Sequence, residues 1–414
     1  MVLNVLMANS KPIIMIKKMT NFDDIRPYND LEIRPAIERL LADRECIEVL
    51  TRFRFSTLPQ FLSPFITPIV KYYVKRQSAH INSVNDLQML MKKYMQQMID
   101  DTVSGMHISG LENLSDGKPH LFISNHRDIA MDPALVNWAL YTHGHETLRI
   151  AIGNNLLTKP YVSDLMRANK SFIVNRSETA PRGKLKAAKH LSSYIHQSIT
   201  DEKANVWIAQ REGRAKDGLD RTNSAVIGML GLSKPKTVSL AHYINELNIV
   251  PVSISYEYDP CDEAKAKELY SHKADGKYEK DEHEDASSIA QGITGFKGDV
   301  HVHFGQILQG DYQSTDEVVE EIDDAIIKNY HLHPSNIVAY RLVHGDSDNK
   351  SSVLPDCHTN ALLEHQQKFE KRIANVDSRW REEVVSMYAN PLISQQMLEQ
   401  KLEKKSDKKL EGGE

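Results

Sequence analysis

Apolar positions along this chain follow two different periods, and the change between them falls near residue 106. Through 33–50 and again through 84–98 they recur every three to four residues, the spacing that gathers one stripe on a helix face. From Met106 short apolar runs take over, at 121–124, 148–152, 171–174, 206–209, 249–255 and 300–304, and these predict strands. Helical spacing at 184–199 and 238–247 separates them. Strands alternating with helices predict an α/β fold: a mixed central sheet flanked by helices, with an N-terminal helical segment and C-terminal helices.

One N-terminal stretch departs from the ordinary amphipathic pattern. Leu58, Phe61, Leu62, Phe65, Ile66, Ile69, Val70, Tyr73 and Val74 fall on one helical face, opposite Gln60, Ser63, Thr67 and Lys71. Lys71, Lys75 and Arg76 close it with positive charge, and Pro64 and Pro68 predict a kink or break. Such a stripe fits a membrane interface, apolar side down with its cations near anionic headgroups, and it equally fits packing against the core. It is too short and too rich in proline to span a bilayer, which takes about 20 apolar residues.

These patterns divide the chain into 1–18, an extension ahead of the folded pattern; 19–105, the helical segment; 106–310, the α/β domain; and 311–344, a closing helical region with a helix at 316–327. After them come 345–358, a linker rich in Ser, Asp and Asn; 359–400, helices at 361–374 and 380–388; and 401–414, a tail expected to be disordered. Residues 262–285 are dense in charge and read as a solvated helix and loop. The first 16 residues lack a basic leading region and a small-residue cleavage site, so they do not read as a signal peptide. Met15 or Met19 is an expected start of translation, an expectation that an intact mass beginning at Met1 would overturn.

Composition narrows the function classes. The 51 basic and 56 acidic residues nearly balance, and no basic stripe with interleaved aromatics is present, so no nucleic-acid partner is expected. Cys46, Cys261 and Cys357 are odd in number and far apart, which implies neither a disulfide framework nor a zinc cluster and suits a reducing compartment. His301 and His303 would share one face of a strand, but without a third ligand nearby in sequence the expectation is a solvated strand face and no metal.

The chemistry concentrates where the apolar run at 121–124 stops, in Ser124-Asn125-His126-Arg127-Asp128, with Asp132-Pro133 just beyond. Imidazole, with an ordinary pKa of about 6.5, is a useful general base near neutrality, and a neighbouring carboxylate fixes its tautomer. His126-Arg127-Asp128 also matches the start of a protein-kinase catalytic loop. Pro133 occupies the position of the metal-binding asparagine there, and no Asp-Phe-Gly or glycine-rich phosphate loop accompanies it, so the kinase reading fails.

Four blocks in series resemble the glycerolphosphate and lysophosphatidate acyltransferase family. They are Ser124-Asn125-His126 with Asp132-Pro133; Ser171-Phe172-Ile173-Val174-Asn175-Arg176; Trp207-Ile208-Ala209-Gln210-Arg211-Glu212-Gly213-Arg214; and Ile249-Val250-Pro251-Val252-Ser253-Ile254-Ser255-Tyr256. Their order and intervals fit the family over about 110–305. The family pattern places four residues between the histidine and its aspartate, whereas five separate His126 from Asp132 and one separates it from Asp128. Asp132 is favoured as the relay carboxylate because Asp132-Pro133 opens a helical pattern as the family aspartate does, with Asp128 as the runner-up. Arg211 stands where many members carry proline, which leans toward the glycerol-3-phosphate branch.

The resemblance implies O-acyl transfer from a thioester to the hydroxyl of glycerol 3-phosphate or 1-acylglycerol 3-phosphate, in glycerophospholipid biosynthesis. His126 would be the base and Asp132 or Asp128 its partner. Arg176, Arg211 and Arg214 would hold the acceptor's phosphate, Glu212 would orient an arginine or the acceptor hydroxyl, and Gly213 would let the backbone approach closely. Arg182, Lys184, Lys186 and Lys189 could add to phosphate binding or form a solvated basic face. No cofactor is implied; acyl-CoA or an acyl carrier protein enters as cosubstrate. The expected partners are the lipid acceptor, the acyl carrier and a membrane surface, with the protein peripheral on the cytoplasmic side or cytoplasmic. A lipid-binding scaffold of the same fold and a thioesterase-like hydrolase are the competing readings.

Overall fold

The apolar runs pair into one sheet in the computed structural model, which describes residues 21–55, 59–115, 117–281, 283–345 and 360–411. Its strands are β1 (Val103–Ser109), β2 (Leu121–Ser124), β3 (Arg149–Gly153), β4 (Ser171–Val174), β5 (Val206–Ala209), β6 (Ile249–Tyr256) and β7 (Gly298–Phe304). They lie in the order β1-β7-β6-β2-β5-β3-β4, with β6 and β7 antiparallel and every other neighbouring pair parallel. The sheet is therefore mixed, as expected. β6, β2, β5, β3 and β4 share one direction, so their carboxyl ends, which carry all four sequence blocks, line one edge.

Four helices precede the sheet: α1 (Asp30–Ala42), α2 (Arg44–Arg54), α3 (Ser63–Gln77) and α4 (Val84–Thr102). Between and beyond the strands come α5 (Met131–Thr142), α6 (Pro160–Ala168), α7 (Pro181–Thr200), α8 (Ser224–Leu230), α9 (Leu240–Asn245), α10 (Asp262–Asp275), α11 (Glu284–Thr294) and α12 (Thr315–Asn329). The chain closes with α13 (Pro334–His344), α14 (Asn360–Ala374) and α15 (Arg381–Glu411). The single helix expected at 33–50 is interrupted at Asp43, whose carboxylate accepts the Cys46 N–H at 2.9 Å and restarts the chain as α2.

Every residue of β2 and β6 is buried, as the unbroken apolar runs of strands covered on both faces require. Leu121, Ile123, Ile208 and Ile249 face one core with Tyr194 and Ile195 of α7 and Ile322 of α12. Phe122, Trp207, Val250, Ile254 and Phe304 face the other with Leu135 and Ala139 of α5. A third core, around Tyr258, joins α13, α14 and α15 through Ile337, Phe369, Val384 and Leu392. Pro251 lies inside β6 and not at its end; its neighbour Val252 makes the last pairing with β7, so the missing N–H falls where that ladder stops.

Several expectations need correction. β1 was not foreseen, because Ser104, Gly105, His107 and Ser109 dilute the apolar alternation of an edge strand. Residues 401–411 continue α15 instead of forming a disordered tail: Lys401 reaches Asp324 at 2.7 Å and Lys405 reaches Glu320 at 2.7 Å, tying the end of the helix to α12. The charged stretch after residue 262 is not wholly solvated, since Asp262 and Lys265 are buried on α10. Pro64 sits in the first turn of α3, where its missing N–H costs nothing, and the helix continues through Pro68. The shared face of His301 and His303 is not simply solvated either: His303 meets Ser109 at 2.9 Å, while His301 meets His331 and His333.

Cys46 and Cys261 are buried free thiols. The extension at 1–18, residues 346–358 of the expected linker, Leu58, Cys357 and residues 412–414 lie outside the described residues. Among the described residues no helix is long and apolar enough to cross a membrane.

Just before β2, the buried His120 accepts the Ser115 N–H at its Nε2, a contact only the neutral ring can make. Burial foremost, with nearby His145 and Lys118, pushes its pKa down to about 4. In the unfolded chain an imidazole takes up its proton near pH 6.5. Stability should therefore be full above that value and fall as the pH drops from about 6.5 to 4, because only the unfolded chain is protonated there. Denaturant unfolding across this range checks it: His120→Gln, which keeps an acceptor without the titration, should flatten the slope, and an unchanged slope would contradict the assignment.

Candidate active site

The site is built at the carboxyl edge of the parallel strands, where loops of open α/β sheets form ligand crevices. Asn125 ends β2 by exchanging two hydrogen bonds with Ile254 of β6, its Oδ1 accepting the Ile254 N–H at 2.8 Å and its Nδ2 donating to the Ile254 carbonyl at 2.9 Å. This clamps the chain across the central strands and projects His126 beyond them.

His126 Nδ1 lies 2.9 Å from Oδ2 of Asp132, which is fully buried in the first turn of α5. The same oxygen accepts the backbone N–H of Arg127 at 2.6 Å and of Asp128 at 2.9 Å. Its other oxygen accepts the Tyr256 hydroxyl at 2.8 Å. With Nδ1–H donating to the carboxylate, the neutral ring keeps its lone pair on Nε2. Trp207 packs edge-on against the imidazole, ring centroids 6.2 Å apart.

Asp128 does something else. Its Oδ1 accepts the N–H groups of Ala130 and Met131 at 2.9 and 2.8 Å, capping the entry to α5, and its carboxylate is packed so closely on Gly292 of α11 that a Cβ there would sit 2.2 Å from Oδ2. Burial, and then the adjacent Asp132 charge, raise its pKa. Of the two carboxylates left open by the sequence, Asp132 is the one bonded to His126. The extra residue in the interval is absorbed by the turn that Asp128 closes.

Arg176 follows β4, and its guanidinium lies 3.4 Å from the Glu212 carboxylate. Gly153 at the end of β3 gives it room: a Cβ there would come within 3.0 Å of Arg176 Nε. Gly213 adopts φ +74° with open space around it, so its role is the left-handed backbone of the turn between Glu212 and Arg214. Arg214 reaches Ser288 at 3.4 Å through Nη2, while its buried Nη1 has no hydrogen-bond partner among the described residues. His126, Arg176, Arg211, Glu212, Gly213 and Arg214 all line one cavity of about 1090 Å³, whose lining also includes the apolar side chains of Met95, Trp138, Ile150 and Phe172. Lys184 of the basic run reaches this cavity. Arg182, Lys186 and Lys189 are exposed on α7.

A supporting layer was not read from the sequence. Buried Arg127 bonds Asp220 at 2.6 Å and the Gly218 carbonyl at 3.1 Å, and buried Lys265 donates to the Arg127 carbonyl at 2.6 Å and to Asp259. Burial works to raise Asp259, but Lys265 together with Arg214 outweighs it and holds the carboxyl below its usual range. The partners of Arg127 lie roughly 90 to 140 positions away, where no local pattern points to them, whereas Lys265 and Asp259 are only six positions apart. Tyr256 had a signal, since it closes the fourth block on the same face as Ile254, but a buried tyrosine reads equally well as core.

No curated protein matches this chain. Among solved structures, it is similar to the 1-acyl-sn-glycerophosphate (LPA) acyltransferase PlsC from Thermotoga maritima, at a TM-score of 0.35 and 12% identity over 72% of this chain and 92% of that one. That likeness is too remote to bear on function. Residues 105–255, from β1 to the end of β6, match the family model described as Acyltransferase, and the match encloses His126, Asp132, Arg176 and the 211–214 turn. Over residues 105–255 this chain is therefore similar to the acyltransferase family.

Proposed function

We propose that this protein transfers a fatty acyl group from acyl-CoA or an acyl carrier protein to the hydroxyl of glycerol 3-phosphate or 1-acylglycerol 3-phosphate, a step of glycerophospholipid synthesis. The observation that carries the reading is a carboxylate-held imidazole on a cavity lined both by three arginines and by apolar side chains. Nε2 of His126 takes the proton as the acceptor oxygen attacks the thioester carbonyl. Asp132 stabilises the imidazolium that forms. The tetrahedral adduct collapses with cleavage of the C–S bond, the imidazolium proton goes to the departing sulfur, and the products are the ester and the free thiol. Protein groups and the acyl carrier supply every step as written.

Arg214 supports a phosphate-bearing acceptor, because a buried guanidinium nitrogen without a partner is costly unless an anion meets it. Arg176, oriented by Glu212, faces the same cavity, and Arg211 adds a third cation. A hydrolase would have no use for such a clamp.

The N-terminal stripe supports a peripheral membrane position. In α3 and the turn before it, Leu62, Ile66, Val70 and Val74 turn inward, whereas Phe61, Phe65, Ile69, Tyr72 and Tyr73 are exposed, between 54% and 74%. Monomeric proteins rarely leave such a row of large apolar side chains in water. A lipid surface fits it, with Lys75 and Arg76 at the end of the helix near anionic headgroups. Phe65→Ser with Ile69→Ser should lower cosedimentation with anionic phospholipid vesicles at least several-fold while leaving the melting temperature nearly unchanged; full retention would remove the membrane reading.

Transfer from labelled acyl-CoA, and separately from acyl carrier protein, to each acceptor tests the reaction itself. Ester should form with one acceptor, and His126→Ala should cut kcat by roughly 10²–10⁴-fold. Asp128→Asn should keep activity within about tenfold and leave stability nearly unchanged, since an amide oxygen accepts the same two N–H groups, whereas Asp128→Ala should lose about 1 kcal/mol of stability. Arg214→Ala should raise the acceptor KM by about 10-fold or more and leave the donor KM unchanged. Free fatty acid as the main product would indicate a hydrolase, and no product with either donor would indicate a scaffold.

A further inference from the structure

On the sheet face opposite Asp132, the structure gathers histidines that the proposed acyl transfer does not use. β6 alternates between the faces: Tyr256 bonds Asp132 on one side, and Ser255 on the other lies 3.2 Å from Nε2 of His333. His301, paired with Ser255 in the β6–β7 ladder, stacks on His331 with centroids 3.5 Å apart and planes within 8°. His333 stands edge-on to both, at 5.3 and 4.9 Å. His301 and His303 share a strand face, as the sequence suggests, but His303 turns to Ser109, and the companions of His301 come from the segment between α12 and α13.

We propose that His301, His331 and His333 form a binding site for a first-row divalent transition-metal ion, with Zn²⁺ the best fit. One ring nitrogen from each residue lies within 4.8 Å of the other two. Tetrahedral zinc with Zn–N of about 2.0–2.1 Å needs its donors ~3.3 Å apart and the ion in the plane of each ring, so binding requires the stacked His301 and His331 rings to turn out of their parallel arrangement, which exposed His331 is free to do. Imidazole is the ligand type that suits zinc, copper and nickel, whereas magnesium and calcium take oxygen. His333 is buried and its backbone N–H donates to the Asn336 side chain, so it is a fixed ligand, while exposed His331 gives an entry path and leaves the fourth position to water. His107 stacks on the outer side of His301, at 4.2 Å, and closes the group toward β1.

A metal here would bind β7 to the start of α13 and so fasten the C-terminal helices to the sheet edge. It would be structural, since the sheet separates it from His126. The test uses the full chain with any affinity tag removed and metal stripped by chelator. Zn²⁺ is titrated against a chromophoric indicator, and Co²⁺ is followed by its visible absorption. One ion per chain should bind with sub-micromolar Kd, Co²⁺ should give the intense bands of a four-coordinate site, and Zn²⁺ should raise the melting temperature. His331→Ala, an exposed change that leaves the core intact, and His301→Gln should each weaken binding by at least about 10–100-fold, whereas His303→Ala should leave it within a few-fold. Absence of saturable binding tighter than about 10 μM, or stoichiometric binding indifferent to His331→Ala, overturns the site.

Discussion

The arrangement of the candidate site depends on one buried carboxylate. Asp132 has no exposure to solvent and accepts from His126, from two successive backbone N–H groups and from the Tyr256 hydroxyl. Hydrogen bonds to a charged acceptor contribute about 1.5–3 kcal/mol each, and a buried carboxylate stripped of them would be too costly to keep. The four donors come from the loop after β2 and from β6, so the charge that orients the imidazole also fixes the register of that loop against the central strands. Asn125 acts in the same place from the other direction, through its paired bonds to Ile254.

The sheet turns this local constraint into a site. Because β2, β4 and β5 run the same way, the residues just past their ends meet at one edge although they are distant in sequence. The imidazole, the arginines and the apolar wall of the cavity then fall within reach of one elongated ligand. β6 carries the connection through the sheet, with Tyr256 serving the carboxylate and Ser255 touching the histidine group on the far face. The C-terminal helices join this framework at Tyr388, whose oxygen accepts the Asp259 N–H at 2.8 Å and donates to Asp262 at 2.9 Å, just beyond β6.

Legibility in the sequence followed the range of the interactions. Six of the seven described strands announced themselves in the apolar pattern: β2 and β6 because burial on both faces leaves little choice of residue, and β7 through its alternation of buried and half-buried positions. β1 did not, since an edge strand tolerates Ser104, Gly105 and His107. The site residues were legible as blocks, each at a strand end, and the structure brings His126, Asp132, Arg176, Arg211, Glu212, Gly213 and Arg214 to one place, with Asp132 behind the wall. The choice between Asp128 and Asp132 was not legible, because spacing alone does not say which carboxylate turns back to cap the helix. Pairings such as Arg127 with Asp220, Lys265 with the Arg127 carbonyl and His301 with His331 are products of tertiary folding, and nothing local encodes them.

The central claim is that Asp132 acts through His126. A double-mutant cycle on kcat for acyl transfer addresses it most directly, using His126→Ala, Asp132→Asn and the pair together. The account predicts that each single change is severe and that the double variant is no slower than His126→Ala alone, because the carboxylate has nothing left to orient. Losses that multiply in the double variant, or an Asp132→Asn enzyme with nearly full kcat, would contradict it.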